Sequence, residues 1–170
     1  MNSTEMNFEE LADILAKECE VHEHVLQASR LVNSAIKESD LDTLQKHTAY
    51  LDSQVFQVGQ LEERRKDCCG ALARALGIGR PQVRLAALIE KAPAAIAGRL
   101  AGLHGSLRGA LDKIFQMNVS NRVLLEEGLQ LVRGRLELVV QSAGHFGGYG
   151  QRGGRATSKL PLHPFINRTA

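Results

Sequence analysis

The chain has no tryptophan, and aromatic residues make up 4% of its 170 positions. A compact catalytic core generally draws on more aromatic bulk, so this scarcity argues against a globular α/β enzyme. Cysteine is scarce too: Cys19 and the adjacent Cys68 and Cys69 make an odd-numbered, poor disulfide framework and point to a reducing compartment. No stretch approaches the ~18 uninterrupted apolar residues of a membrane span. The opening MNSTEMNFEELADIL is acidic and amphipathic, without the basic-then-apolar order of a secretory leader. A cytoplasmic protein with no membrane insertion is expected. Asp and Glu are absent from residues 142–170, which hold four Arg/Lys and three aromatics, Phe146, Tyr149 and Phe165.

What is present is leucine, alanine and valine with 24% charged residues, a composition suited to helices packed along narrow seams. The net charge of +2 hides an asymmetry: residues 1–67 carry fourteen Asp/Glu against seven Lys/Arg, and residues 68–141 carry five against ten. An acidic first arm lying antiparallel to a basic second arm would use this complementarity, although exposed pairs contribute only about 0–1 kcal/mol each. Solvated helix faces would show the same counts.

Asn2, Ser3 or Thr4 can cap a first helix whose apolar positions include Phe8, Leu11, Ile14, Leu15, Val25, Val32 and Ile36. Ser39-Asp40 breaks it and caps the next. From Leu41 through Leu44, Thr48, Leu51, Val55, Val58, Glu62, Arg65, Cys69, Leu72 and Leu76 the steps alternate between three and four, a heptad seam with one polar layer at Glu62 and Arg65. It predicts a helix of about 36 residues, roughly 55 Å long, folded back on the first as a hairpin. Gly77 supplies a left-handed cap and Pro81 blocks continuation. A short helix over 82–92 follows, then a restart at Pro93. The pattern resumes along a third long helix through Leu100, Leu107, Ile114, Asn121 and beyond. Gly98, Gly102, Gly105 and Gly109 form one stripe on it, suiting either the close approach of another backbone or tight packing within the chain.

Catalytic and metal signals are weak. Glu18, Cys19, His22 and Glu23 stand at helical spacing but find no second cluster, and Cys68-Cys69 diverge by about 100° on a helix, unlike zinc pairs. GIGRP lacks the length and the lysine of a phosphate loop. A non-enzymatic protein with no metal and no cofactor is expected. The tail 147–155 resembles an Arg-Gly-Gly nucleic-acid segment, yet it has a single Arg-Gly-Gly, which a flexible tether explains as well. Nucleic acid is not the expected partner. Asn118 and Asn121 fall on or beside the apolar stripe, followed by Leu124-Leu125. Buried amides need hydrogen-bond partners, so they either fix the register of a seam or mark a face that receives another helix.

Two long helices joined at Ser39-Asp40, a third bearing Asn118-x-x-Asn121 and Leu124-Leu125, and a helix end running into Tyr149-Gly150 resemble the FlgN-type flagellar export chaperones. The resemblance spans nearly the whole layout, with its discriminating residues between Asn118 and Gly150. It implies a cytosolic chaperone of type III export that holds hook-associated proteins and delivers them to the cytoplasmic domain of the export gate. By that analogy the client binds Asn118, Asn121, Leu124, Leu125, Leu131, Val132, Leu138 and Val139, and Tyr149 docks on the gate. The chain departs from the family's pattern in its glycine stripe and its long basic ending, KLPLHPFINRTA.

The expected fold is all-α: an elongated antiparallel bundle of three long helices with a short connecting helix. The body covers 1–141 and a flexible tail 142–170. Two other functions fit the residues, a coiled-coil scaffold in which seams meet copies of the same chain, and nucleic-acid binding through the tail. Oligomeric state is left open.

Overall fold

A computed structural model describes residues 3–79 and 84–145, with side chains as far as Gln141. The described residues form four helices: α1 (Ser3–Glu38), α2 (Leu41–Ala75), α3 (Leu85–Glu90) and α4 (Ala94–His145). Helix α4 thus continues past residue 141. The chain divides into two compact units, Met1–Glu126 and Glu127–Ala170.

The turns are built where the local chemistry asks for them. Asp40 is the N-cap of α2, its carboxylate accepting from the Thr43 amide at 3.0 Å. Hydrogen bonds from Thr43 hold that carboxyl below its ordinary value. Ser39 ends α1 in the left-handed region, φ 56°, with Ser39 N donating to Ile36 O and Asp40 N to Ala35 O. At the end of α2, Gly77 has φ 68°, and the amides of Gly77 and Ile78 return to Arg74 O and Ala73 O, the paired closure that favours glycine there. Pro93 starts α4 by offering its carbonyl to the amides of Ile96 and Ala97.

In the first unit α1 lies between two neighbours. Its Glu18 meets Arg65 and its Asn7 carbonyl meets Cys68, so α1 and α2 run antiparallel. Its Asp13, Cys19 and Asn33 meet Arg99, Leu103 and Asn121 in order, so α1 and α4 run parallel. The apolar core is concentrated at one end, where Phe8, Leu11, Leu15, Leu72, Leu88 and Leu100 are almost wholly buried. Each such side chain contributes about 1.5–3 kcal/mol on leaving water. The other end is thinner: Val25, Leu26 and Ile114, with Leu51 packed against them. Helix α3 is short because Leu88 needs only one turn to reach the main cluster.

The acidic and basic segments meet, but between α1 and α4, which run parallel and not antiparallel as expected. Arg99 reaches both Glu9 (3.3 Å) and Asp13 (2.8 Å), an exposed pairing of modest worth.

The α2 seam differs from the expected one. Leu51, Val58 and Leu72 face inward as predicted, and Cys69 and Leu76 join the core as predicted, but Gln54, Leu61 and Cys68 form a further inward column, while Leu41 and Val55 are 74% and 60% exposed. In the polar layer expected at Glu62 and Arg65, both side chains are half-buried and Arg65 pairs across helices with Glu18. A buried carboxylate on α1 outbids a local one because it has no water to turn to.

Candidate functional site

Glu18, Arg65, Cys19 and Cys68 of the first unit are engaged in holding helices together. Glu18 is buried and receives the Arg65 Nε–H on both oxygens, at 2.9 and 3.1 Å. His22 Nδ1 lies 2.7 Å from the Glu18 carbonyl. Cys19 donates to the Leu103 carbonyl and Cys68 to the Asn7 carbonyl. Burial pushes the Cys68 thiol up to about 11, and it raises Cys19 and Cys69 as well, which suppresses the thiolate needed for metal binding or attack. Among the described residues no group of three or more His, Cys, Asp or Glu is placed to hold a metal. The shallow grooves along α1 and α2 are edged by charged chains such as Lys17, Glu20 and Arg64. None of the described helices is long and apolar enough to cross a membrane.

The two asparagines of α4 have different surroundings. Asn121 is buried: its Oδ1 accepts from Asn33 Nδ2 at 2.7 Å and its Nδ2 donates to the Ser29 carbonyl at 3.1 Å. Its whole amide is spent on α1, where it sets the register of α4 against α1. Asn118, three residues earlier, is exposed. In the same unit Leu124 is half-buried and Leu125 exposed.

The second unit begins at Glu127, and there the helix is apolar and open. Leu131, Val132, Leu138 and Val139 are all exposed, and so are Leu129, Leu136 and Val140, with relative exposures between 53% and 68% for the seven. Within the second unit Leu131-Val132 and Leu138-Val139 repeat at an interval of seven, so the two pairs return to one side of the helix; Leu124-Leu125 stand one heptad earlier in the sequence. Leu129 and Leu136 escaped the sequence reading; the signal was present in the four-three-four steps from Leu125 to Leu129, Val132 and Leu136. Exposed leucine and valine in a run of this length are of the kind that interaction surfaces are made from. Tyr149 and the rest of the tail lie outside the described residues.

A Cβ built on Gly98, Gly102, Gly105 or Gly109 would meet no atom within 4 Å outside the helix's own backbone, so tight packing among the described residues does not account for the stripe.

Comparison with curated proteins and with solved structures gives no match. The family model described as FlgN protein matches residues 1–157, which takes in all four helices and the start of the tail. The chain belongs to the FlgN family of flagellar type III export chaperones.

Proposed function

We propose that this chaperone binds the C-terminal segments of flagellar hook-associated proteins and delivers them to the cytoplasmic domain of the export gate. It acts in the cytoplasm as a binding protein, without catalysis and without a cofactor. The observation that carries the reading is the open apolar face of α4 beyond Glu127, formed by Leu131, Val132, Leu138 and Val139 with Leu129 and Leu136. An amphipathic client helix read at i, i+3, i+4 and i+7 suits such a face. Ordering a disordered client costs several kcal/mol, which keeps the complex reversible enough for hand-over. In the first unit, Leu124, Leu125 and the exposed Asn118 are also proposed to contact the client, as the family resemblance implies. Asn121 serves it indirectly, by anchoring α4 to α1. Tyr149 is proposed to dock on the gate once the client is held.

The test is co-purification of a hook-associated C-terminal segment with the full-length chain. Leu131→Asp combined with Val132→Asp is expected to abolish it while the helical circular dichroism persists. Unchanged binding by a folded double variant defeats the site. Tyr149→Ala is expected to leave client binding intact and to reduce export of hook-associated proteins; loss of client binding instead would assign the tail to the binding face.

A further inference from the structure

Within the second unit the far part of α4 is the one element among the described residues. At about 100° per residue, Leu131 and Leu138 stand at one edge of an apolar arc and Leu129 and Val140 at the other, with Val132 and Leu136 between them. The arc spans about 200° of the helix, roughly twice the stripe by which an amphipathic helix rests on a core. Among the described residues of the unit, Arg135 is the one charged side chain inside it, and Gln130, Arg133 and Glu137 stand on the opposite side. All six apolar side chains are more than half exposed. A helix draws most of its stability from packing such a face, so one with so wide an apolar arc is marginal alone in water.

The same unit takes in the rest of the chain, and the chemistry of that remainder is uneven. Residues 147–159 carry five glycines and no aliphatic side chain larger than alanine. The next seven, LPLHPFI, gather Leu160, Leu162, Phe165 and Ile166, with Lys159 before them and Arg168 after. This is the apolar run of the tail.

Chain length brings the run to the arc. Fourteen residues separate His145, the last of α4, from Leu160. A glycine-rich run of that length has a root-mean-square reach of about 20 Å. Counting back along α4 from His145, Leu136 lies nine residues away and Leu131 fourteen, or about 14 and 21 Å at 1.5 Å per residue. A tether whose mean length matches its span gives the highest effective concentration, in the millimolar range.

We propose that in the client-free chain the segment 160–166 lies across the apolar arc of α4, between Leu131 and Val140. Pro161 and Pro164 suit an extended run laid on a helix better than a further helix. Leu160, Leu162, Phe165 and Ile166 leave water together with the side chains beneath them, while Lys159 and Arg168 keep their charges in solvent. The contact does not depend on what else the arc binds. Its consequence for cargo rests on the client reading given above: a client helix seated on Leu131, Val132 and Leu138 needs the same ground and displaces the tail to reach it. With about a third or less of the chains uncovered, the apparent Kd for the client rises at least about threefold. A weak apolar segment then loses to the tethered one, and the arc is kept for partners that bind it well.

Photocrosslinking of the full-length chain decides it, with benzoylphenylalanine in place of Phe165 and an excess of isotope-labelled wild-type chain, so that adducts within and between chains differ in mass. Circular dichroism establishes that each variant is folded. The adduct is expected within one chain, on peptides covering 129–140, and is expected to fall sharply in Leu131→Asp with Val132→Asp. An adduct on residues 3–126, one made between chains, or none at all overturns the proposal. Leu162→Ser with Phe165→Ser is expected to tighten binding of a hook-associated C-terminal segment at least about threefold. If the adduct forms on 129–140 and that affinity is unchanged, the tail contact stands and the assignment of the arc to the client fails. If no adduct forms while Leu131→Asp with Val132→Asp still abolishes client binding, the client site stands and the tail contact is refuted.

Discussion

Asn33 and Asn121, on different helices and 88 positions apart in the chain, meet amide to amide at 2.7 Å, and Asn121 hands its own proton on to the Ser29 carbonyl. This is the joint at which α4 is fastened to α1 near the end of the first unit. Asn33→Ala leaves the Asn121 oxygen buried without that donor, an omission that costs about 1–3 kcal/mol. Urea denaturation of Asn33→Ala, Asn121→Ala and the double variant is expected to show clear non-additivity, with the second deletion costing much less than the first.

Glu18 and Arg65 differ in their access to water: the carboxylate side chain is 1% exposed and the arginine 25%. Removing the arginine strands a buried charge, so Arg65→Ala is expected to destabilise the chain by about 3 kcal/mol or more. Glu18→Ala is expected to cost less, because Arg65 can reach solvent. Replacing both with leucine is expected to return most of the loss. Equilibrium unfolding of the three variants checks the order.

Cys68 is an acid whose proton the folded state retains up to about pH 11, against 9.0 for a free thiol. Between those values the unfolded chain binds fewer protons than the folded one, so this group's contribution to stability is full below about pH 9 and falls as pH rises toward 11. Native protein at pH 8 is expected to react with a thiol reagent slowly at Cys68, and rapidly once unfolded in guanidinium. Fast modification of the native state would mean that the α2 end opens readily.

Gly102→Ala and Gly105→Ala are expected to raise stability by about 1 kcal/mol each, the usual gain in a helix interior. Nothing stands where the new methyl group would go. A loss of stability, read by the same denaturation experiment, would show that the stripe serves a contact made by the chain in solution.

The breaks at Ser39-Asp40 and at Gly77 were legible because capping is local chemistry, decided by residues within one turn. The orientation of α2 was not. Its central column, Leu51, Val58 and Leu72, has plausible companions on either flank, Val55 on one and Gln54 with Leu61 on the other, and only the neighbouring helix chooses between them. Likewise the polar layer at Glu62 and Arg65 was legible, whereas the partner that Arg65 takes, Glu18, is 47 positions away. On α4 the apolar repeat has the same character at Leu107, which is buried, and at Leu136, which is open. Periodicity records that a face is made to pack; it carries no information on whether the partner belongs to the same chain.

The uneven core also dictates an order of events. The end near Phe8, Leu11, Leu72 and Leu100 is dense hydrocarbon, whereas the end near Val25 and Ile114 is held by a few apolar contacts and by amides such as Asn33 and Asn121. In hydrogen–deuterium exchange, amides beside Leu11 and Leu15 are therefore expected to exchange only through global unfolding, and those beside Val32 and Leu51 through partial fraying. The first unit behaves as a clasp that loosens at its hairpin before its base gives way.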